Sequence, residues 1–305
     1  ESDGSFLRLR PHIAVVTNVE DDHLDYYGNL DNIISAFRVF AEQVPAGGLT
    51  VFCQDNANAA TIAAMTCSRR QMTYGLNSGA DYQARNIEFQ GFNGNCEVWE
   101  KNCLLGSLQL IVPGRHNILN ALATVAVARE VGIDFQTISQ ALASFRGVHR
   151  RFEFLGEEKG VRVIDDYGHH PSEIKATLSA AALGRFKRII CVFQPHRYTR
   201  TKFLFREFAA AFDLADLVII ADIYPAGEQP IAGVSSKMII EAMRDRADNH
   251  AILVPALSDI VPYLLGLVQP GDLVLTIGAG NVSMVGADLV KALARSASVK
   301  QAVEA

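Results

Sequence analysis

Between Val161 and Ile277 the chain repeats one pattern five times: a short apolar run, a polar turn, then a stretch with helical spacing. The runs are Val161 to Ile164, Arg188 to Phe193, Leu217 to Ala221, Ala251 to Val254 and Leu273 to Ile277. They are continuously apolar rather than alternating, so both faces of each strand must be covered, and strands separated by helices pair in parallel. A doubly wound, Rossmann-like α/β sheet satisfies both demands. In such sheets ligands sit beyond the carboxyl ends of the strands, near the point where strand order reverses. The polar clusters of this half lie there: "IDDYGHHP" after the first strand, "QPHRYTRT" after the second and "IGAGN" after the fifth.

Upstream the pattern is mixed. Val15 to Asn18 reads as a buried strand, Asn29 to Val44 as a helix, and "GLTVFCQDN" and "QMTYG" as two further strands. "ARNIEFQGF", "NCEVWEK" and "GSLQLIVPG" alternate in polarity between Gly and Asn residues and read as antiparallel strands. Two helices follow, "RHNILNALATVAVAREVG" closed by Gly132 and "DFQTISQALASF". "RGVHRR" reads as a linker, which divides the chain into residues 1–147 and 148–305. With 305 residues, 49% of them hydrophobic, each half can bury its own core.

A net charge of −5 offers no basic field for a nucleic-acid backbone or an anionic membrane, so small molecules are the expected partners. The five cysteines, Cys53, Cys67, Cys96, Cys103 and Cys191, show no C-x-x-C spacing and fit a reducing, cytoplasmic setting better than a disulfide framework or a zinc knuckle. No apolar run approaches the ~18 residues of a membrane span, and no signal-peptide pattern opens the chain.

Each polar cluster has two readings. In "DDYGHHPSE", Pro171, Ser172 and Glu173 suit the first turn of a capped helix, but capping does not account for Asp165, Asp166, Tyr167, His169 and His170 together. Grouped titratable side chains at a strand end are what a reaction site needs; a metal site is the weaker functional reading. His196, Arg197 and Arg200 are either a solvated basic helix start or an anion site, since guanidinium forks grip carboxylates and phosphates. Asn117 and Asn120 share one helical face near a helix start; they cap or solvate that face, or offer paired amide donors and acceptors to a purine edge. "NVEDDHLDYYG" gathers four acids around His23, as an acidic loop or as donors for a hard divalent cation. "IGAGNVSMVG" has Ser283 where a dinucleotide fingerprint needs its last glycine and reads better as a tight strand-to-helix turn; no G-x-x-x-x-G-K-[ST] phosphate loop occurs.

Taken in order, "ESDGSF", "VVTNVEDDHLDYYG", "PGRHNILNALA", "HRRFE", "VIDDYGHHPSEI", "FQPHRYTRT" and "GAGN" resemble the Mur ligases of cell-wall synthesis across the whole chain. The match is closest to the member that adds L-alanine to UDP-N-acetylmuramate. The resemblance implies the rest of a central ATPase domain followed by the family's Rossmann-like C-terminal domain, with the sugar-nucleotide domain and the phosphate loop upstream of Glu1. It implies a reaction in which ATP phosphorylates the lactyl carboxylate and the alanine amine displaces phosphate, in the cytoplasm, with this chain alone inactive. His23 matches a Mg2+ ligand, with Glu1 or an upstream glutamate as the partner acid. His116, Asn117 and Asn120 match an adenine-binding stretch, and Arg151 and Asp166 match ATP contacts. Tyr167, His169, His196, Arg197 and Arg200 match positions that face the amino acid and the developing intermediate. Two other classes compete: a noncatalytic nucleotide or amino-acid binding module, which the missing phosphate loop favours, and a metal hydrolase using "DDH" with "DDYGHH".

Overall fold

The computed structural model describes residues 3–66, 69–246 and 250–303, which leaves Glu1 and Cys67 outside the described residues. The chain forms two compact units, Glu1–Arg146 and Gly147–Ala305.

In the first unit, β1 (Ile13–Val16), β2 (Leu49–Cys53), β3 (Gln71–Gly75), β4 (Tyr82–Gln90), β5 (Asn93–Glu100) and β6 (Cys103–Leu110) make one sheet in chain order. The first four strands pair in parallel and the last three antiparallel, so β4 joins the two kinds of pairing. Side chains alternate across β2, which therefore feeds two cores. Leu49, Val51 and Cys53 pack with Ile118, Leu122 and Val125 of α4 (Arg115–Glu130), while Phe52 packs with Ile33 of α2 (Leu30–Glu42) and Ile62 of α3 (Ala57–Met65). A four-residue helix, α1 (Leu24–Tyr27), precedes α2, and α5 (Phe135–Ser144) follows α4. The caps follow the sequence: Asn29, Asn56 and Asp134 each accept from a backbone N–H in the first turn of α2, α3 and α5. Gly132 takes the left-handed φ of 87° just beyond α4. The described cysteines of this unit, Cys53, Cys96 and Cys103, are free.

In the second unit, β7 (Glu153–Glu158), β8 (Val161–Asp166), β9 (Arg188–Phe193), β10 (Leu217–Ile220), β11 (Ala251–Leu253) and β12 (Asp272–Ile277) form a sheet in the order β11-β10-β9-β12-β8-β7. The five expected strands are parallel. The sixth, β7, is antiparallel to β8 across a two-residue turn in which Lys159 and Gly160 both have positive φ, 53° and 72°. Valines 161 and 163, with Ile190, Val192 and Val274, pack under α9 (Leu257–Leu265) and α10 (Ser283–Val303). Phe193 packs against Phe208 of α7 (Tyr198–Ala209) and against Phe212. Helices α6 (Pro171–Ala182) and α8 (Lys237–Asp245) complete the alternation. Because β12 returns into the gap between β9 and β8, the three strand ends that carry polar clusters are neighbours. Among the described residues no helix is long and apolar enough to cross a membrane.

Candidate functional site

Backbone bonds stitch the three adjacent strand ends together: Gln194 N–H donates to Ile277 O at 3.1 Å and Gly278 N–H to Asp166 O at 3.1 Å. The buried Gln194 side chain then donates to Asn281 Oδ1 at 3.0 Å and accepts from Val282 N–H at 3.2 Å, which anchors the "GAGN" turn. Gly280 sits where a Cβ would lie 2.4 Å from Gln194 Oε1 and 2.7 Å from Tyr224 Cγ. Close approach of backbone to side chain, rather than a dinucleotide, explains this glycine. Gly280→Ala is expected to cost about 1–3 kcal/mol and to displace Tyr224, seen as a lower urea midpoint at unchanged slope; an unchanged midpoint would refute the packing argument.

The "DDYGHH" cluster divides into inward and outward residues. Asp165, 1% exposed, accepts from Thr276 Oγ1 at 2.6 Å and pairs with Arg150 Nε at 2.9 Å. Asp166, 5% exposed, accepts from Phe152 N–H and Gly168 N–H, both at 2.8 Å, one on each oxygen. Burial raises its pKa against the pull of those two bonds. The Asp166 carboxylate is turned inward and holds two backbone segments in place. His170 is likewise buried and caps α6, its Nδ1 accepting from Ser172 N–H at 3.4 Å, while Glu173 Oε2 reaches back to the N–H groups of His169 (2.8 Å) and His170 (3.1 Å). This reciprocal arrangement is a capping box with histidine in the role usually taken by serine or threonine.

Tyr167 and His169 point the other way and meet the second cluster. Ring centroids run Tyr167 to His169 at 5.6 Å, His169 to His196 at 5.8 Å, and His196 to Tyr224 at 5.6 Å in a near-parallel stack. Arg200 Nη1 donates to His196 Nδ1 at 3.1 Å. Burial, then the charges of Arg200, His169 and Arg197, push the His196 pKa down to about 4, so its ring is neutral at pH 7. Arg197 has the left-handed φ of 70° at the start of α7, and its N–H donates to Tyr224 O at 2.8 Å. Arg151 joins from the linker side: its guanidinium lies 3.3 Å from Glu173 Oε1 and 5.7 Å from the Tyr167 ring. Thus Tyr167, His169, His196, Arg197, Arg200 and Arg151 share one edge of the second unit, as the strand-end argument requires.

Sequence reasoning missed two members. Tyr224 stacks on His196, and Glu228 accepts from Thr199 N–H at 3.0 Å and from its hydroxyl, supplying the α7 start with the cap that Arg197 lacks. Both lie in "ADIYPAGE", the polar turn after β10. The strand-end logic applied to that third strand would have found them.

In the first unit, Asn117 Nδ2 donates to Pro113 O at 2.7 Å, and Asn120, exposed on the same face, approaches Asn117 Oδ1 at 3.5 Å. His116 adjoins them in the first turn of α4. His23 has a left-handed φ of 55° at the start of α1; its N–H donates to Asp22 Oδ1 at 2.8 Å and its Nε2 lies 3.7 Å from Asp22 Oδ2. Glu20 accepts from Asn18, and among the described residues no three His, Cys, Asp or Glu side chains are grouped to hold an ion. Within the described residues His23 and Asp22 are brought together. The pair fits a Mg2+ ion that brings its other oxygens with a nucleotide, because such ions commonly take only one or two protein donors beside phosphate and water.

Comparison with known proteins agrees with this picture. Residues 2–128 match the Mur ligase middle domain and residues 150–280 the Mur ligase, glutamate ligase domain. The chain is 51% identical over 294 residues to a UDP-N-acetylmuramate–L-alanine ligase of Pelotomaculum thermopropionicum, covering 96% of this chain and 64% of that protein. It is 49% identical over 295 residues to the ligase of the same name in Desulforamulus reducens, covering 96% of this chain and 63% of that one. The chain thus spans somewhat less than two thirds of the length of these relatives. Among solved structures, UDP-N-acetylmuramate-alanine ligase of Thermotoga maritima superposes with a TM-score of 0.78 at 28% identity, over 97% of this chain and 62% of that one. With two family domains matched in succession and the sheet of each in place, the chain belongs to the Mur ligase family.

Proposed function

We propose that this chain carries the adenine- and amino-acid-handling residues of an enzyme that joins L-alanine to the lactyl carboxylate of UDP-N-acetylmuramate, in cytoplasmic synthesis of cell-wall precursors. The observation that carries the reading is the cluster of Tyr167, His169, His196 and Arg200 on adjacent strand ends, in a chain about half identical to ligases of that name. Guanidinium groups at such an edge suit the amino acid's carboxylate, and a neutral His196 can donate to an oxygen on which charge develops. Asn117 and Asn120, with His116, would receive the adenine edge, and Arg151 a phosphate. His23 with Asp22 would hold one side of the Mg2+. ATP supplies the phosphoryl group that makes the carboxylate an acyl phosphate, and Mg2+ neutralises charge as it moves. Asp166 stays a positioning residue, holding the backbone at Phe152 and Gly168.

The test is phosphate release from Mg-ATP with UDP-N-acetylmuramate and a panel of amino acids, run on the gene product that contains this chain and on the 305-residue chain itself. Release that depends on L-alanine is expected from the former. None is expected from the latter, whose sequence has no phosphate loop. Nucleotide or amino-acid binding by both proteins without turnover in either would favour the noncatalytic module.

A further inference from the structure

The two histidines of the cluster are held in opposite protonation patterns. His169 Nδ1 lies 3.1 Å from Tyr167 O and 3.5 Å from Glu173 Oε2. A carbonyl and a carboxylate only accept, so the ring proton belongs on Nδ1 and the lone pair on Nε2. His196 is the reverse. Its Nδ1 faces Arg200 Nη1 at 3.1 Å, and a guanidinium only donates, so the lone pair is on Nδ1 and the proton on Nε2. Two rings 5.8 Å apart thus present one acceptor and one donor.

We propose that Glu173 is a positioning residue which, beyond capping α6, fixes His169 as the proton acceptor for the incoming amine. The inference rests on the ligase reading above and deepens it. An amino acid arrives as an ammonium, whose nitrogen has no lone pair. One N–H proton passes to Nε2 of His169, giving an imidazolium paired with the Glu173 carboxylate. The freed nitrogen lone pair forms the C–N bond at the acyl phosphate carbon. The C–O bond to phosphate breaks, and the leaving phosphate takes the second nitrogen proton.

The groups around His169 suit that task. Glu173 is held by the N–H groups of His169 and His170 and by Arg151. Burial pushes the Glu173 pKa up, but His169, those N–H bonds and Arg151 together bring it below the usual range, so the carboxylate is ionised where the reaction runs. On the other side stands His196, whose neutrality at pH 7 spares His169 a facing positive charge, with Arg200 behind it. Arg150 and Arg151 flank Tyr167 at 4.9 and 5.7 Å from its ring.

Glu173→Gln separates the two roles of this residue, because the amide oxygen can still accept the cap N–H bonds while the charge is gone. In the complete enzyme the variant is expected to lower kcat by about 100-fold and leave KM for ATP unchanged. In a His169→Gln background the same change is expected to add no further loss. A variant that only melts earlier, with kcat unmoved, overturns the proposal. Imidazole 15N spectra of the 305-residue chain give a readout independent of turnover: His169 is expected as the Nδ1–H form in the native chain and as a mixture in Glu173→Gln. A native His169 protonated on Nε2 overturns this inference alone, whereas a wild-type enzyme without alanine-dependent phosphate release overturns the ligase reading and the proton-acceptor role with it.

Discussion

Replacing Arg200 by alanine is expected to lower kcat/KM for L-alanine in the complete enzyme by about 10²–10³-fold, the cost typical of truncating one partner of a desolvated, hydrogen-bonded charge pair. Two losses combine. The guanidinium fork is proposed to grip the substrate carboxylate, and the same group fixes His196 by donating to Nδ1 at 3.1 Å. Without that donor His196 can flip, and its proton is no longer directed at the reacting oxygen. Arg200→Lys is expected to restore only a small part, because a point charge on a flexible stem has no fork. The pH dependence follows in sign. Burial is the first cause of the depressed His196 pKa and survives the substitution, but the second cause, the Arg200 charge, is removed. The pKa therefore rises from about 4 toward the ordinary imidazole range, and the variant is expected to lose activity on acidification more steeply than the native enzyme. An unchanged KM for alanine in Arg200→Ala would exclude the carboxylate grip.

How far such a site is legible in sequence depends on which physical signal marks each residue. Strands buried on both faces read as apolar runs, and helix starts read from Asn29, Asp134 and Pro171, because these signals are local. Strand β7 escaped because "EFLGEE" is an edge strand with charged, half-exposed side chains, a pattern that guards edges and resembles a loop. Helix α3 escaped because "ANAATIAAM" is alanine-rich throughout and shows little amphipathic contrast. Within "DDYGHH" the residue types announced a site, but not that Asp165, Asp166 and His170 turn inward while Tyr167 and His169 turn out. That division follows from β8 running to Asp166 beside β12, which demands that both acids satisfy buried donors.

The second large effect is expected on stability. Arg150 and Asp165 form a pair with side chains 17% and 1% exposed, and the carboxylate also accepts from Thr276 Oγ1. Arg150→Met leaves that carboxylate buried without its cation, a change expected to cost about 3–5 kcal/mol, measured by urea unfolding of the chain. Replacing both partners, Arg150→Met with Asp165→Leu, is expected to recover most of the loss, since a well-packed apolar pair removes the desolvation penalty altogether. Function is expected not to follow. Arg150 Nη2 also donates to Gly278 O at 2.6 Å, its carbonyl accepts from Tyr167 N–H at 2.7 Å, and its guanidinium lies 4.9 Å from the Tyr167 ring. A methionine keeps the backbone bond to Tyr167 N–H but supplies neither the bond to the β12 turn nor the charge over the ring, so the Tyr167 side chain loses the cation that aims it. The double variant is therefore expected to unfold near the native urea midpoint yet keep a raised KM for L-alanine. Recovery of stability and KM together would mean that the pair serves the fold alone, and recovery of neither would mean that the bond to Gly278, rather than the ion pair, is what the second unit depends on.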